Sequence, residues 1–270
     1  MMVLPSRKSA FFRMTAISIL ILLAGAGAAE ARKKARPRAP ATLPERINAL
    51  ARQLPGVMLV DAGPIIDQIQ ALVVDHMTEW MANRTPTDVE VRRELESLFS
   101  LLHYPEVAQP AAFAFPWKGQ MVIGAGYTLG WTDFDRQNVV AIYTSAAGKS
   151  SLATVTNFVP RTDLNYEVLP QLAWDDLRFF IYGFRPGKSQ PRLTAILYSF
   201  DGHNLKPLWQ TVDVYDGKMD VDKDKVTIKY LKEDEYIDAV QRNRHPDRHL
   251  STFQLTAKGI QFVDEHDIPF

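Results

Sequence analysis

From residue 45 to residue 104, apolar residues recur every three or four positions. "PERINALARQL" sets Ile47, Leu50 and Leu54 at helical spacing. "PIIDQIQALVVDHMTEWMANR" does the same with Ile65, Ile66, Ile69, Leu72, Val73, Met77 and Trp80. Its Pro64 suits a first helical turn, where a missing N–H costs nothing. In "TDVE", Thr87 and Glu90 form a capping box, each side chain satisfying an orphan backbone N–H. Leu95, Leu98, Phe99 and Leu102 give that third helix its apolar face, and Pro105 ends it.

From about residue 111 the period changes to two. "FAFPW", "QMVIGAGY", "NVVAIYTS", "SLATVTNFV", "LRFFIYGF", "LTAILYSF", "LKPLWQTVDV", "KVTIKYL", "STFQLTA" and "IQFVDE" are short, β-branched and aromatic, and separated by turn residues. Asp201-Gly202 gives a tight-hairpin signal, and Gly148 and Gly259 mark two further turns. The three glycines lie 54 and 57 residues apart. Each closes a unit of one strand, a polar loop and a hairpin. The predicted class is therefore α+β: an N-terminal helical region followed by antiparallel β-meanders. The meanders would be arranged as three propeller-blade-like units or as a β-sandwich.

The chain ahead of the helices has a different composition. Arg7, Lys8 and Arg13 precede the apolar "MTAISILILL" and the small residues "AGAGAAEA". This is the pattern of a secretory signal peptide over 1–31, too short in its apolar part for a membrane span. Residues 32–44 form a basic, Pro-rich linker, 45–108 the helical region, and 109–270 the β domain. Export implies a periplasmic or secreted location, with no stable membrane span after cleavage. The absence of cysteine excludes a disulfide framework and Cys-ligated zinc, so the fold must rest on its core. The formal net charge of zero divides unevenly: +2 for 1–31, +5 for 32–38, leaving −7 for 39–270. An acidic body argues against nucleic acid as a partner.

Several stretches carry candidate chemistry. Asp220, Asp222 and Asp224 begin like a calcium loop, but Lys225 stands where that loop needs glycine and Leu231 where it needs a bidentate Glu. A charged turn between strands is the better reading. "GKS" occurs at 148–150 and 187–189 without the remaining P-loop glycine, and both read as hairpin loops. "RHPDRH" offers His245, Asp247 and His249, with His266 downstream, as a divalent-metal set, against the plainer reading of an exposed polar loop. His76 and Glu79 share a helical face and would make either an acid–base pair or a solvated edge. Trp117, Tyr127, Trp131 and Asp133 are candidates for a glycan-stacking surface, unless the aromatics are packed. No G-x-S-x-G elbow is present. The C-terminal "DIPF" lacks the alternation of a lipid-facing strand, which argues against a membrane barrel.

No cofactor is predicted beyond that divalent-metal candidate. The expectation is an exported, soluble, non-enzymatic binding protein of the cell envelope or secreted space, with a protein or glycan partner. The competing reading is a secreted hydrolase, metal-assisted or using a carboxylate pair.

Overall fold

Four helices and thirteen strands follow one another in the computed structural model, which describes residues 41–54, 59–103, 106–107, 110–130, 137–158, 162–169, 175–185 and 187–268. Residues 1–40, which hold the predicted signal peptide and most of the predicted linker, lie outside the described residues. Helices α1 (Leu43–Ala51) and α3 (Asp88–Phe99) each open on a capping box. In α3 the Thr87 N–H donates to Glu90 Oε2 at 2.8 Å, and Glu90 N–H donates to Thr87 Oγ1 at 3.3 Å. Thr42 and Glu45 repeat the arrangement in α1, a box the sequence reading passed over. Helix α2 (Leu59–Met81) begins before Pro64, so that proline lies inside the helix rather than at its first turn. The α2 ladder therefore lacks the bond that a residue-64 N–H would have made.

The strands are β1 (Glu106–Val107), β2 (Ala111–Trp117), β3 (Gln120–Gly130), β4 (Gln137–Ala146), β5 (Lys149–Phe158), β6 (Thr162–Val168), β7 (Leu177–Arg185), β8 (Arg192–Phe200), β9 (Leu205–Tyr215), β10 (Lys218–Asp222), β11 (Lys225–Tyr230), β12 (Arg248–Thr256) and β13 (Gly259–Ile268). A fourth helix, α4 (Glu233–Gln241), separates β11 from β12. All pairings are antiparallel and form three sheets. In sheet A, β1 and β2 pair successive stretches of β3, followed by β4 and β5. Sheet B runs β6-β7-β8-β9 and sheet C runs β10-β11-β12-β13. From β2 onward, strands adjacent in sequence within a sheet are paired in space, the meander arrangement that the period-two segments predict.

The sheets stack face to face, and alternation explains how. In sheet A, Ile123, Ala125, Tyr127, Leu129, Val139, Ala141 and Tyr143 meet the helices. Their sequence neighbours Val122, Val140 and Ile142 meet Phe179, Ile181, Ile196 and Phe200 of sheet B. The opposite face of sheet B presents Phe180, Ala195 and Leu197 to Val226 and Leu255 of sheet C. The order is helices, A, B, C. The central strands β7 and β8 are buried on both faces, which is why "RFFIY" and "TAILY" are continuous apolar runs rather than alternating ones.

Two glycines make the A–B contact close. A Cβ on Gly124 would stand 2.2 Å from the Phe113 ring, and one on Gly126 would stand 2.0 Å from the Tyr166 hydroxyl. Without side chains there, Phe113 and Tyr166 lie against the strand backbone, edge to face at 4.9 Å. Sheets B and C are joined differently. Arg178 of β7, 7% exposed, donates to Thr256 O (2.8 Å) and Ala257 O (2.7 Å) of the β12–β13 turn, and to Asp176 (2.9 Å).

The turns correct one detail. Ala147 and Gly148 both have positive φ between paired Ala146 and Lys149, as a two-residue hairpin needs. The loop at Asp201-Gly202 is wider than predicted, running from 201 to 204 between paired Phe200 and Leu205. The Asp201 side chain accepts the Asn204 and His203 N–H groups, at 2.7 and 2.9 Å. These bonds to the charged form hold its carboxyl down at about 2.

Candidate functional site

The terminal sheet changes character along its inner face. At one end Val221, Val226, Phe253, Leu255 and Ile260 pack on sheet B. At the other end the same face carries Tyr230, His249, Ser251, Glu265 and Asp267, placed side by side by the pairs Tyr230↔His249, Ser251↔Glu265 and His249↔Asp267. Helix α4 covers this polar end. Its first turn holds Glu233, Asp234 and Glu235, the acidic residues that a helix N-terminus favours.

His249 is the centre of the polar end and is 2% exposed. Its Nε2 lies 2.7 Å from Glu235 Oε2 of α4. Its Nδ1 lies 2.9 Å from Asp267 Oδ1, near enough for an ion pair but out of line for a ring hydrogen bond. Beside it, the Tyr230 hydroxyl donates to Glu265 Oε2 at 2.7 Å, the Ser251 hydroxyl donates to the same oxygen at 3.1 Å, and Lys232 Nζ stands 3.1 Å from Oε1. The Tyr230 bond, then the Lys232 charge, hold Glu265 below the ordinary carboxylate range. Burial, then the same carboxylate, pushes the Tyr230 phenol up. Ser251 is thus engaged by Glu265 rather than by His249, so the arrangement is a clamp of α4 on sheet C and not a nucleophile–base pair.

The outer edge of the same sheet is apolar and open. β13 pairs with β12 on one side and is the last strand of its sheet. Phe262 is 60% exposed and Val263 58% exposed. The register shifts here: Phe253 faces Phe262 and Thr252 faces Asp264, which leaves Val263 as an extra, bulged residue. Phe262 is not a loose side chain. Its ring packs on Phe253 (5.8 Å), Phe253 on Trp209 (5.4 Å) and Trp209 on Phe180 (6.1 Å), a ladder from the B–C core to the edge. Beyond Val263 the strand turns acidic, with Asp264, Glu265 and Asp267.

Trp117 is buried between sheets A and B, 3% exposed, with Lys118 Nζ over its ring at 4.9 Å. Tyr127 is buried on the opposite face of sheet A, where its hydroxyl donates to Gln70 O at 3.4 Å. Burial, with Tyr143 nearby, pushes its phenol well above the usual range. Trp131 and Asp133 lie outside the described residues. His245 and Asp247 are exposed in the loop after α4, whereas His249 belongs to β12 and points inward. His266 pairs with Leu250, on the face opposite His249, and contacts Asp264 at 3.2 Å. The structure therefore does not bring the four together, and no group of three His, Asp or Glu side chains in metal-holding geometry occurs among the described residues. Asp220 and Asp222 lie on the exposed face of β10, and Lys223-Asp224 make its turn into β11, the charged hairpin read from the sequence. His76 pairs with Glu94 of α3 at 2.8 Å rather than with Glu79.

The sequence reading missed Glu235 and Phe262. Glu235 lies in a helix with one buried apolar residue, Ala239, so the apolar period is too short to register. Its signal was the acidic first turn. Phe262 was placed in a strand, but its exposure follows from that strand being last in its sheet.

Comparison with known proteins finds no family model, no curated protein and no solved structure that matches this chain. No helix among the described residues is long and apolar enough to cross a membrane.

Proposed function

We propose that this chain is an exported, non-enzymatic binding protein of the cell envelope or secreted space, and that a protein partner docks on it by adding a strand beside β13. The observation that carries the reading is an edge strand with Phe262 and Val263 exposed side by side. An open edge offers backbone hydrogen bonds to an extended segment, and side chains at alternate positions supply selectivity. Phe262, held by the ring ladder, is the anchor. The leader pattern of 1–31 supports export, and the acidic body weighs against nucleic acid. A protein partner is favoured over a glycan because Trp117 and Tyr127 are buried on opposite faces of sheet A, while the most exposed aromatic and its exposed neighbour, Phe262 and Val263, lie on an edge strand of sheet C.

The architecture fits this role. Three stacked meanders are read here as propeller-blade-like units in an open array. Helices cover the free face of the first. The free face of the third carries Lys218, Asp220, Asp222 and Lys225, a surface suited to water. The array needs no fourth unit to bury its faces, and its edges are left open to a partner strand.

The test is affinity capture from envelope extract with residues 32–270 as bait, run beside the same bait carrying Phe262→Lys. A stoichiometric protein captured by the parent and lost with Phe262→Lys is expected. Identical captures with both baits, or none above background, would overturn the assignment to β13. Metal retained by the purified chain and lost on His249→Ala would instead favour the hydrolase reading.

A further inference from the structure

We infer that the strand added beside β13 is β13 of a second copy, paired antiparallel about a two-fold axis at Gln261. The inference rests on β13 being the docking edge, and it names the partner. A two-fold axis normal to the sheet pairs residues equally distant from Gln261. Ile260 then stands opposite Phe262 of the second copy, twice over by symmetry. Ile260 and Phe262 both lie on the inner face, so each pair is an apolar cross-strand contact of the kind that stabilises antiparallel ribbons. Val263 is bulged out of this count, so Gly259 comes opposite Asp264 across the same joint.

Charge selects this register. With Val263 bulged, the count beyond Phe262 shifts by one, and Lys258, at the turn before β13, comes opposite Glu265 of the second copy, again twice. No carboxylate faces another. Sliding the axis to Glu265 sets that carboxylate against itself, and like charges in direct opposition destabilise a ribbon. A one-residue slip turns the side chains to the wrong face. The bulge at Val263 and the acids beyond it keep the pairing short, confined to the uncharged stretch Ile260–Val263 and its flanks. The association is therefore weak and reversible.

Symmetry also distinguishes this pairing from its competitor. Among the described residues, a second exposed edge with apolar side chains is β5, where Leu152 is 37% and Val155 42% exposed. Pairing β13 with β5 of another copy is head-to-tail and leaves one edge free on each molecule of a pair, whereas β13 on β13 closes as a dimer.

The chain contains no cysteine, which makes the test clean. Directly opposed Cα atoms in an antiparallel pair are about 4.5–5.5 Å apart, within disulfide range. Gln261→Cys in residues 32–270 is expected to give a covalent dimer under mild oxidation, at concentrations where Val155→Cys stays monomeric. Sedimentation equilibrium of the unmodified chain is expected to show a monomer–dimer equilibrium. Phe262→Lys shifts its midpoint about tenfold or more toward monomer, having removed two symmetric cross-strand pairs. Circular dichroism on Phe262→Lys confirms that this exposed substitution leaves the fold intact. A chain that stays monomeric throughout, a dimer indifferent to Phe262→Lys, or open-ended polymers would each overturn self-pairing. If such a monomer still captures another protein through Phe262, the docking edge stands and only the identity of its partner falls.

Discussion

Sheet B has two neighbours, and it meets them in different ways. Toward sheet A the contact is dominated by apolar and aromatic side chains, with Phe113 and Tyr166 lying on Gly124 and Gly126. Toward sheet C the apolar contact covers part of the face, and the rest of sheet C turns to a histidine–carboxylate clamp under α4. The first interface is held by packing, which tolerates little change in volume. The second is held by partnered polar groups, which tolerate little change in partner. The exposed edge of β13 belongs to the sheet whose contact is mixed.

The contrast makes graded predictions. Phe179→Ala in the A–B core removes a ring with no exposure. It should cost about 3–5 kcal/mol in denaturant unfolding. Arg178→Met at the B–C junction strands the Thr256 and Ala257 carbonyls and should cost about 2–4 kcal/mol. Gly124→Ala forces the Phe113 ring away and should cost about 1–3 kcal/mol, with partial recovery when combined with Phe113→Leu. If Arg178→Met proves as mild as a surface substitution, the B–C junction is not held as described.

Smaller still is the effect of pH at the clamp. Glu265 sits below the ordinary carboxylate range when folded, so it stabilises the fold above that range, and the contribution fades as pH falls through its lowered value. Lys232 is raised, chiefly by its bond to Glu265, so its contribution is present below the ordinary lysine range and fades as pH rises through the raised value. Both groups are largely exposed and screened, so the expected change is slight. Stability of Glu265→Gln, followed from pH 6 to pH 3, should fall less steeply than that of the parent. An unchanged acid slope would mean the Tyr230–Glu265 bond does not form in solution.

The same contrast explains what could be read in advance. Where burial is decided by apolar period alone, the sequence is direct: the Thr87–Glu90 box, the alternating faces of β3 and β4, and the β4–β5 turn all stand where their residues indicate. The polar end was hidden because its logic is pairwise. His249 looks like a loop histidine until β12 is seen to start at Arg248 and α4 to bring Glu235 over it. Helix α4 itself exposes Ile237 and Val240, so its apolar residues do not announce a buried face. Tyr127 and Trp117 lie ten positions apart in one hairpin yet face opposite sides of sheet A, because β3 buries both its faces.

The most direct test of the docking edge is hydrogen exchange on residues 32–270, read at β13 with and without the captured partner, or across a concentration series if the partner is a second copy. Added protection concentrated at Gly259–Ile268, with the A–B core unchanged, is the result predicted here. Protection that appears on the helices or on β5 while β13 exchanges as before would contradict it.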